Sequence, residues 1–159
     1  MVSGDLLTRL LGAALFAALL VPSTAAAHTD AGWQVSLRWP AQGTITSPFG
    51  RDGYRWHPGL DIGILRSLEV RAAADGVVVL AGFMPGYDGY GALVAVEHRE
   101  GYSTLYAHLS RPLVRPGEHV RGGQLIGIAG CTGSCTGTHL HFELRQDGIP
   151  IDPTLLIVG

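Results

Sequence analysis

The stretch "THLHFEL", Thr138 to Leu144, alternates without a break. Leu140, Phe142 and Leu144 hold one parity; His139, His141, Glu143 and the following Arg145 hold the other. Successive side chains on a strand point to opposite faces, so strict alternation predicts a half-buried β-strand with its apolar face in the core. The other face then presents two histidines. The plain reading of that face is solvated polar surface, with Glu143 in water. The chemical reading is a metal or proton-transfer site, because imidazole ligates metals and titrates near neutrality.

The chain has 159 residues, the size of one domain. A net charge of −2 gives no electrostatic case for a nucleic-acid partner or an anionic membrane surface. All 11 basic residues are arginine. The lack of lysine excludes a lysine nucleophile, a Schiff base, or a lipoyl or biotinyl carrier, which "RPGEHVRGGQLIG" would otherwise suggest. Glycine is abundant at 23 residues, and helix-period patterns are scarce after the first thirty positions. That combination predicts a mainly β domain with many tight turns.

The first residues read as an export signal. Arg9 closes a short leading region, and the apolar run "LLGAALFAALLV", Leu10 to Val21, follows. Small residues to Ala25-Ala26-Ala27 suit a signal peptidase, and the run is too short to span a bilayer comfortably. Residues 1–27 are therefore expected to be a signal peptide cut after Ala27, residues 28–43 a short lead, and residues 44–159 the functional domain. A secreted or envelope protein without stable membrane insertion follows. In that compartment Cys131 and Cys135, the two cysteines, are expected to form a disulfide. Closing so small a loop contributes about 2 kcal/mol in the chain-entropy model.

Along the chain, "VRAAADGVVVLAGF" reads as a hairpin turning at Asp75-Gly76, and "MPGYDGYG" as a long hairpin tip. "ALVAVEH" and "YSTLYAHL" read as strands joined by Arg99-Glu100-Gly101, and "RQDGIPIDP" as a last turn and edge. The expected fold is a small antiparallel, sandwich-like β domain without long helices.

Three segments carry the chemistry. In "HPGLD", His57 and Asp61 flank a Pro-Gly pair that disfavours helix, so a turn would bring them together. His108 ends "YSTLYAH", where parity groups it with Thr104 and Tyr106. His139 and His141 share one strand face about 6.6–6.8 Å apart. A catalytic zinc site takes three protein ligands and leaves a position open. His57, Asp61 and one histidine of "HLH" supply that set, leaving the other histidine and His108 for proton transfer. Tyr54 and Tyr106 are weaker candidates for oxyanion or substrate contacts. His28, His98 and His119 have no companion motif and read as surface or turn residues.

"HPGLD", "YSTLYAHLS", "GGQLIGIAGCTGSCTGTHLHFEL" and the closing "IDP" resemble the lysostaphin-type (LytM-like) zinc endopeptidases that cut peptidoglycan cross-bridges. The resemblance runs from about Thr44 to Thr154. It implies that His57, Asp61 and His141 bind Zn2+, that His108 and His139 are the catalytic histidines, and that the ion lies in a groove over the main sheet. It further implies a hydrolase of amide bonds in peptidoglycan cross-links or stem peptides; a monomer is expected. The rival expectation is a non-catalytic binding or activating module of the same fold. Two departures stand out. The family often has serine where this chain has Cys131 and Cys135, and an appended wall-binding domain is not expected here, so targeting is expected from the groove or from partners.

Overall fold

The computed structural model describes residues 35–158. The expected signal peptide, its cut site and His28 lie outside them. The strands are β1 (Thr44–Ser47), β2 (Gly50–Asp52), β3 (Arg55–His57), β4 (Leu60–Gly63), β5 (Glu69–Arg71), β6 (Gly76–Phe83), β7 (Ala92–Glu97), β8 (Tyr102–Pro112), β9 (His119–Val120), β10 (Leu125–Ala129), β11 (Leu140–Gln146) and β12 (Ile149–Ile151). Two short 3-10 turns, Asp88–Tyr90 and Pro153–Leu155, are the helical elements among the described residues. No helix among these residues is long and apolar enough to cross a membrane.

The "THLHFEL" strand is β11, and it lies between β4 and β8, antiparallel to both. The main sheet runs β1-β4-β11-β8-β7-β6-β9, while β2 and β3 form a separate hairpin. The expected mainly antiparallel β fold is what the chain adopts. Leu140, Phe142 and Leu144 are fully buried, and the Phe142 ring lies 5.3 Å from that of Tyr106 on β8. Each such side chain contributes about 1.5–3 kcal/mol by leaving water, which fixes the register of β11 against a one-residue slip. The same core takes Val70 from β5 and Ile126 from β10. Leu37 and Ala41, counted in sequence with the lead, are buried there too, and Leu37 bridges to Ile157.

β8 serves two partners. Its residues Tyr102 to Ala107 pair with β11, and Leu109 to Pro112 pair with β10. The change occurs at His108, whose φ is +58°. Opposite it the β7 register shifts, so that Ala107 and His108 together face Leu93. A bulge of this kind inserts one residue and reverses the parity beyond it.

Two expectations need correction. Asp75-Gly76 does not turn a hairpin: β5 pairs with β10, whereas β6 pairs with β7 and β9. The backbone before the turn is already committed elsewhere. Ala72 N donates to Gln124 O, Arg38 N donates to Ala73 O, and Ala73 N donates to the Tyr106 hydroxyl. His98 is not a surface residue but half-buried, its ring nitrogens 2.8 Å from Asp75 O and 2.8 Å from Thr104 Oγ1. Burial holds its pKa below the usual histidine value. His119 is exposed as expected.

Candidate metal centre

β3 delivers His57 and β4 delivers Asp61, with Pro58 and Gly59 between them. Asp61 therefore sits on a strand and not in the turn itself. Gly59 lets the connection press against β11, since a Cβ there would collide with the Phe142 carbonyl. Register then does the rest: β11 places His141 opposite Asp61 on one side and Ala107 on the other.

The result is a triangle of donor atoms. His57 Nε2 lies 3.2 Å from Asp61 Oδ1 and 3.1 Å from His141 Nδ1, and His141 Nδ1 lies 2.9 Å from Asp61 Oδ1. A tetrahedral ion bound at about 2.0–2.2 Å spaces its ligand atoms about 3.3–3.6 Å apart, close to these edges. The outer ring nitrogens are already engaged. His57 Nδ1 donates to Pro48 O at 2.7 Å, and His141 Nε2 donates to Glu143 Oε1 at 3.0 Å. A carbonyl or carboxylate only accepts, so each neutral ring must carry its proton outward and aim a lone pair into the triangle. With both rings neutral, three lone pairs face one another at this distance and repel unless a metal ion or a proton lies among them. The donor set therefore fits a metal ion, and His57, Asp61 and His141 could hold it.

Glu143 corrects the solvated-face reading, because it is fully buried. Beyond His141, its carboxylate accepts from Tyr90 OH at 2.7 Å and from Arg145 Nε at 2.6 Å. Burial alone would raise its pKa; the three hydrogen bonds and the Arg145 charge outweigh that and lower it. Tyr90 is pushed up to about 12, first by burial and then by the Glu143 charge it donates to. For His141, burial opposes protonation, but Asp61 and Glu143 on its two nitrogens raise it to about 8. Burial likewise opposes ionisation of Asp61, and the surrounding His141, His57 and His139 outweigh it.

His108 and His139 stand on the same groove. The bulge puts His108 on the side of Ala107 and not, as parity suggested, with Thr104 and Tyr106. Its Nδ1 donates to Thr132 O at 2.8 Å. Burial and the neighbouring His139 and His141 charges hold its pKa down, against the pull of Thr132 O and Asp61. His139 precedes β11, donates from Nδ1 to Gly137 O at 2.7 Å, and points Nε2 at Asp61 Oδ1 from 3.6 Å. It thus lies outside the tighter triangle. The His108 and His139 ring centroids are 4.7 Å apart.

The groove is open, about 490 Å³, and its rim includes Ser47, Arg55, Trp56, Tyr90, Ser134 and Thr136. Tyr54 is fully exposed and does not line it, and Tyr106 is buried in the core with its hydroxyl on Ala73 N. Tyr90, from the hairpin tip, is the tyrosine that reaches the site. Cys131 and Cys135 are joined, with Cα atoms 5.3 Å apart.

An antiparallel β domain flooring an open groove with a His-Asp-His cluster has the build of a metallopeptidase domain. The chain belongs to Peptidase family M23, whose family model matches residues 55–153. It is 44% identical over 118 residues to the DD-carboxypeptidase/endopeptidase Mpg of Neisseria meningitidis serogroup B, covering 69% of this chain and 26% of that protein. It is 38% identical over 116 residues to the murein hydrolase activator NlpD of Escherichia coli K12, covering 73% of this chain and 30% of that protein. Among solved structures it is similar to the antimicrobial peptidase lysostaphin of Staphylococcus simulans, with a TM-score of 0.64 and 29% identity over 77% of this chain and 52% of that one. The chain thus spans about a quarter to a third of the length of these two curated relatives.

Proposed function

We propose that this chain is an exported zinc endopeptidase that hydrolyses amide bonds in peptidoglycan cross-links or stem peptides. His57, Asp61 and His141 hold the ion, and His108 and His139 move protons. The observation that carries this reading is the triangle of three converging donor atoms, with a pair of histidines beside it in one groove. Residues 1–27 serve as the export signal, residues 44–159 as the peptidase domain, and the protein acts as a monomer without nucleic acid.

Zinc bound there supplies a Lewis acid for the amide carbonyl and lowers the pKa of water from 15.7 toward about 7. The side chains do the remainder. Asp61 balances part of the ion's charge and leaves the site net cationic, which favours the developing oxyanion. The outward hydrogen bonds of His57 and His141 keep their inner nitrogens aimed. His108 and His139 present their Nε2 atoms to the groove. One takes the proton of the attacking water, and the leaving amine nitrogen receives a proton as the C–N bond breaks and the new C–O bond forms. The open groove admits an extended peptide.

The activator reading draws on the likeness to NlpD. All five site positions are filled here, and an activator has no use for them, so the enzyme reading is preferred. The test is digestion of purified muropeptides, with mass spectrometry locating the cut bond. We expect one zinc per chain, cleavage abolished by a chelator, and activity restored by zinc. A metal-free preparation with full activity would contradict the proposal.

Glu143 has a role of its own in this scheme. Partners that hold the outer nitrogen of a ligating histidine change metal affinity by about 10–100-fold when removed. Glu143→Gln should weaken zinc binding by that factor in competition with a chromophoric chelator. The thermal midpoint should fall as well, because Arg145 loses its anionic partner in a buried site. Unchanged affinity would mean that His141 is held by its strand alone.

A further inference from the structure

The loop between β10 and β11 touches both proposed proton-transfer histidines. Its ends are pinned where Gly130 bridges His139. On the outgoing leg the Thr132 carbonyl accepts from His108 Nδ1; on the returning leg the Gly137 carbonyl accepts from His139 Nδ1. The Cys131–Cys135 disulfide ties the two legs, with Cys131 next to Thr132 and Cys135 two residues before Gly137, and Cys135 Sγ lies 3.8 Å from His139 Nδ1. The loop is seated on the hairpin tip as well. Thr132 Oγ1 donates to Leu109 O at 2.7 Å and accepts from Ala92 N at 3.0 Å, and Ser134 N donates to Gly89 O at 2.9 Å. Gly133 packs so closely on the hairpin tip that a Cβ there would strike Gly91 N and Gly89 O, and a Cβ at Gly91 would strike Thr132 and Gly133 N. None of these contacts reaches His57, Asp61 or His141.

We propose, resting on the peptidase reading above, that the Cys131–Cys135 bridge is a positioning clamp for His108 and His139. It holds two carbonyls in place, and these fix both rings in the Nδ1–H tautomer with Nε2 free toward the groove. A glycine-rich loop such as "CTGSCTGT" has many backbone states open to it, and the covalent tie removes most of them. An acid/base group gains from a fixed tautomer because a ring with its proton on the wrong nitrogen does not accept one at the reacting centre. The clamp also makes turnover sensitive to reduction. A dithiol passes two electrons and two protons to the bridge, which opens to two thiols while the dithiol closes to its own disulfide. The metal triad would stay intact through that change.

The experiment compares the zinc-loaded protein with its Cys131→Ser/Cys135→Ser variant, which cannot form the bridge. Three quantities are read: zinc per chain, kcat and KM on muropeptides, and the imidazole tautomers of His108 and His139 by 15N NMR. The expected result is unchanged zinc, KM within about twofold, kcat lower by about tenfold, short of the roughly 10²–10⁴-fold for losing a proton-transfer group outright, and mixed tautomers at one or both rings. Thr132→Val, which removes the hydroxyl seat and keeps the bridge, should shift the His108 tautomer alone. Unchanged tautomers and kcat in the double variant would overturn the proposal. Loss of zinc would overturn it too, because the bridge would then serve the triad. Should the native protein show no turnover, the peptidase reading fails, and the tautomers still decide whether the clamp exists.

Discussion

His141→Ala should leave the protein with almost no bound zinc and no measurable turnover. His141 supplies one of three converging donors, and its Nδ1 makes the shortest edge of the triangle, 2.9 Å to Asp61 Oδ1. Without it only His57 and Asp61 remain, and two protein ligands fall short of the three that hold a catalytic zinc. The expected change is from about one zinc per chain to a small fraction, measured by elemental analysis after dialysis. His57→Ala should behave alike. The β11 core face is untouched in both variants, so near-ultraviolet circular dichroism should report a folded protein. A variant of either kind that retains full zinc would remove that residue from the ligand set.

His139→Ala should do the opposite. His139 Nε2 lies 3.6 Å from Asp61 Oδ1, outside the triangle, so its loss leaves three ligands in place. Zinc should stay at one per chain while kcat falls by about 10²–10⁴-fold, the range for a proton-transfer group. His108→Ala should follow the same pattern. Solvated-surface histidines would show almost no effect in any of the four variants. Zinc lost from His139→Ala and kept by His141→Ala would reverse the two roles.

The two histidine variants also mark how far the residues alone carry the reading. Alternation in Thr138–Leu144 was enough to place the core face of β11, because burial of leucine and phenylalanine overrides anything the polar face does. It was not enough to place Glu143. A glutamate on the polar parity looks solvated, and only the fold brings Tyr90 and Arg145 over it. Tyr90 itself comes from a hairpin tip, where no periodicity exists to be read. A parity count groups His108 with the wrong neighbours for a definite reason: it assumes an unbroken strand, and the bulge breaks the strand at the histidine itself, whose φ is +58°. The Asp75-Gly76 hairpin failed differently. Turn chemistry was right for a bend, but partner choice was decided by long-range bonds to Gln124 and Arg38. The carbonyls of Pro48, Thr132 and Gly137, which fix the rings of His57, His108 and His139, carry no side-chain signal at all.

The central claim is that the groove itself performs hydrolysis. The most direct measurement is release of new amino groups from purified peptidoglycan by the zinc-loaded chain alone, with no other hydrolase present. Steady release is expected, matched by fragments cut at a peptide bond and absent with His139→Ala. No release from the chain alone, with release appearing only when a second murein hydrolase is added, would contradict it.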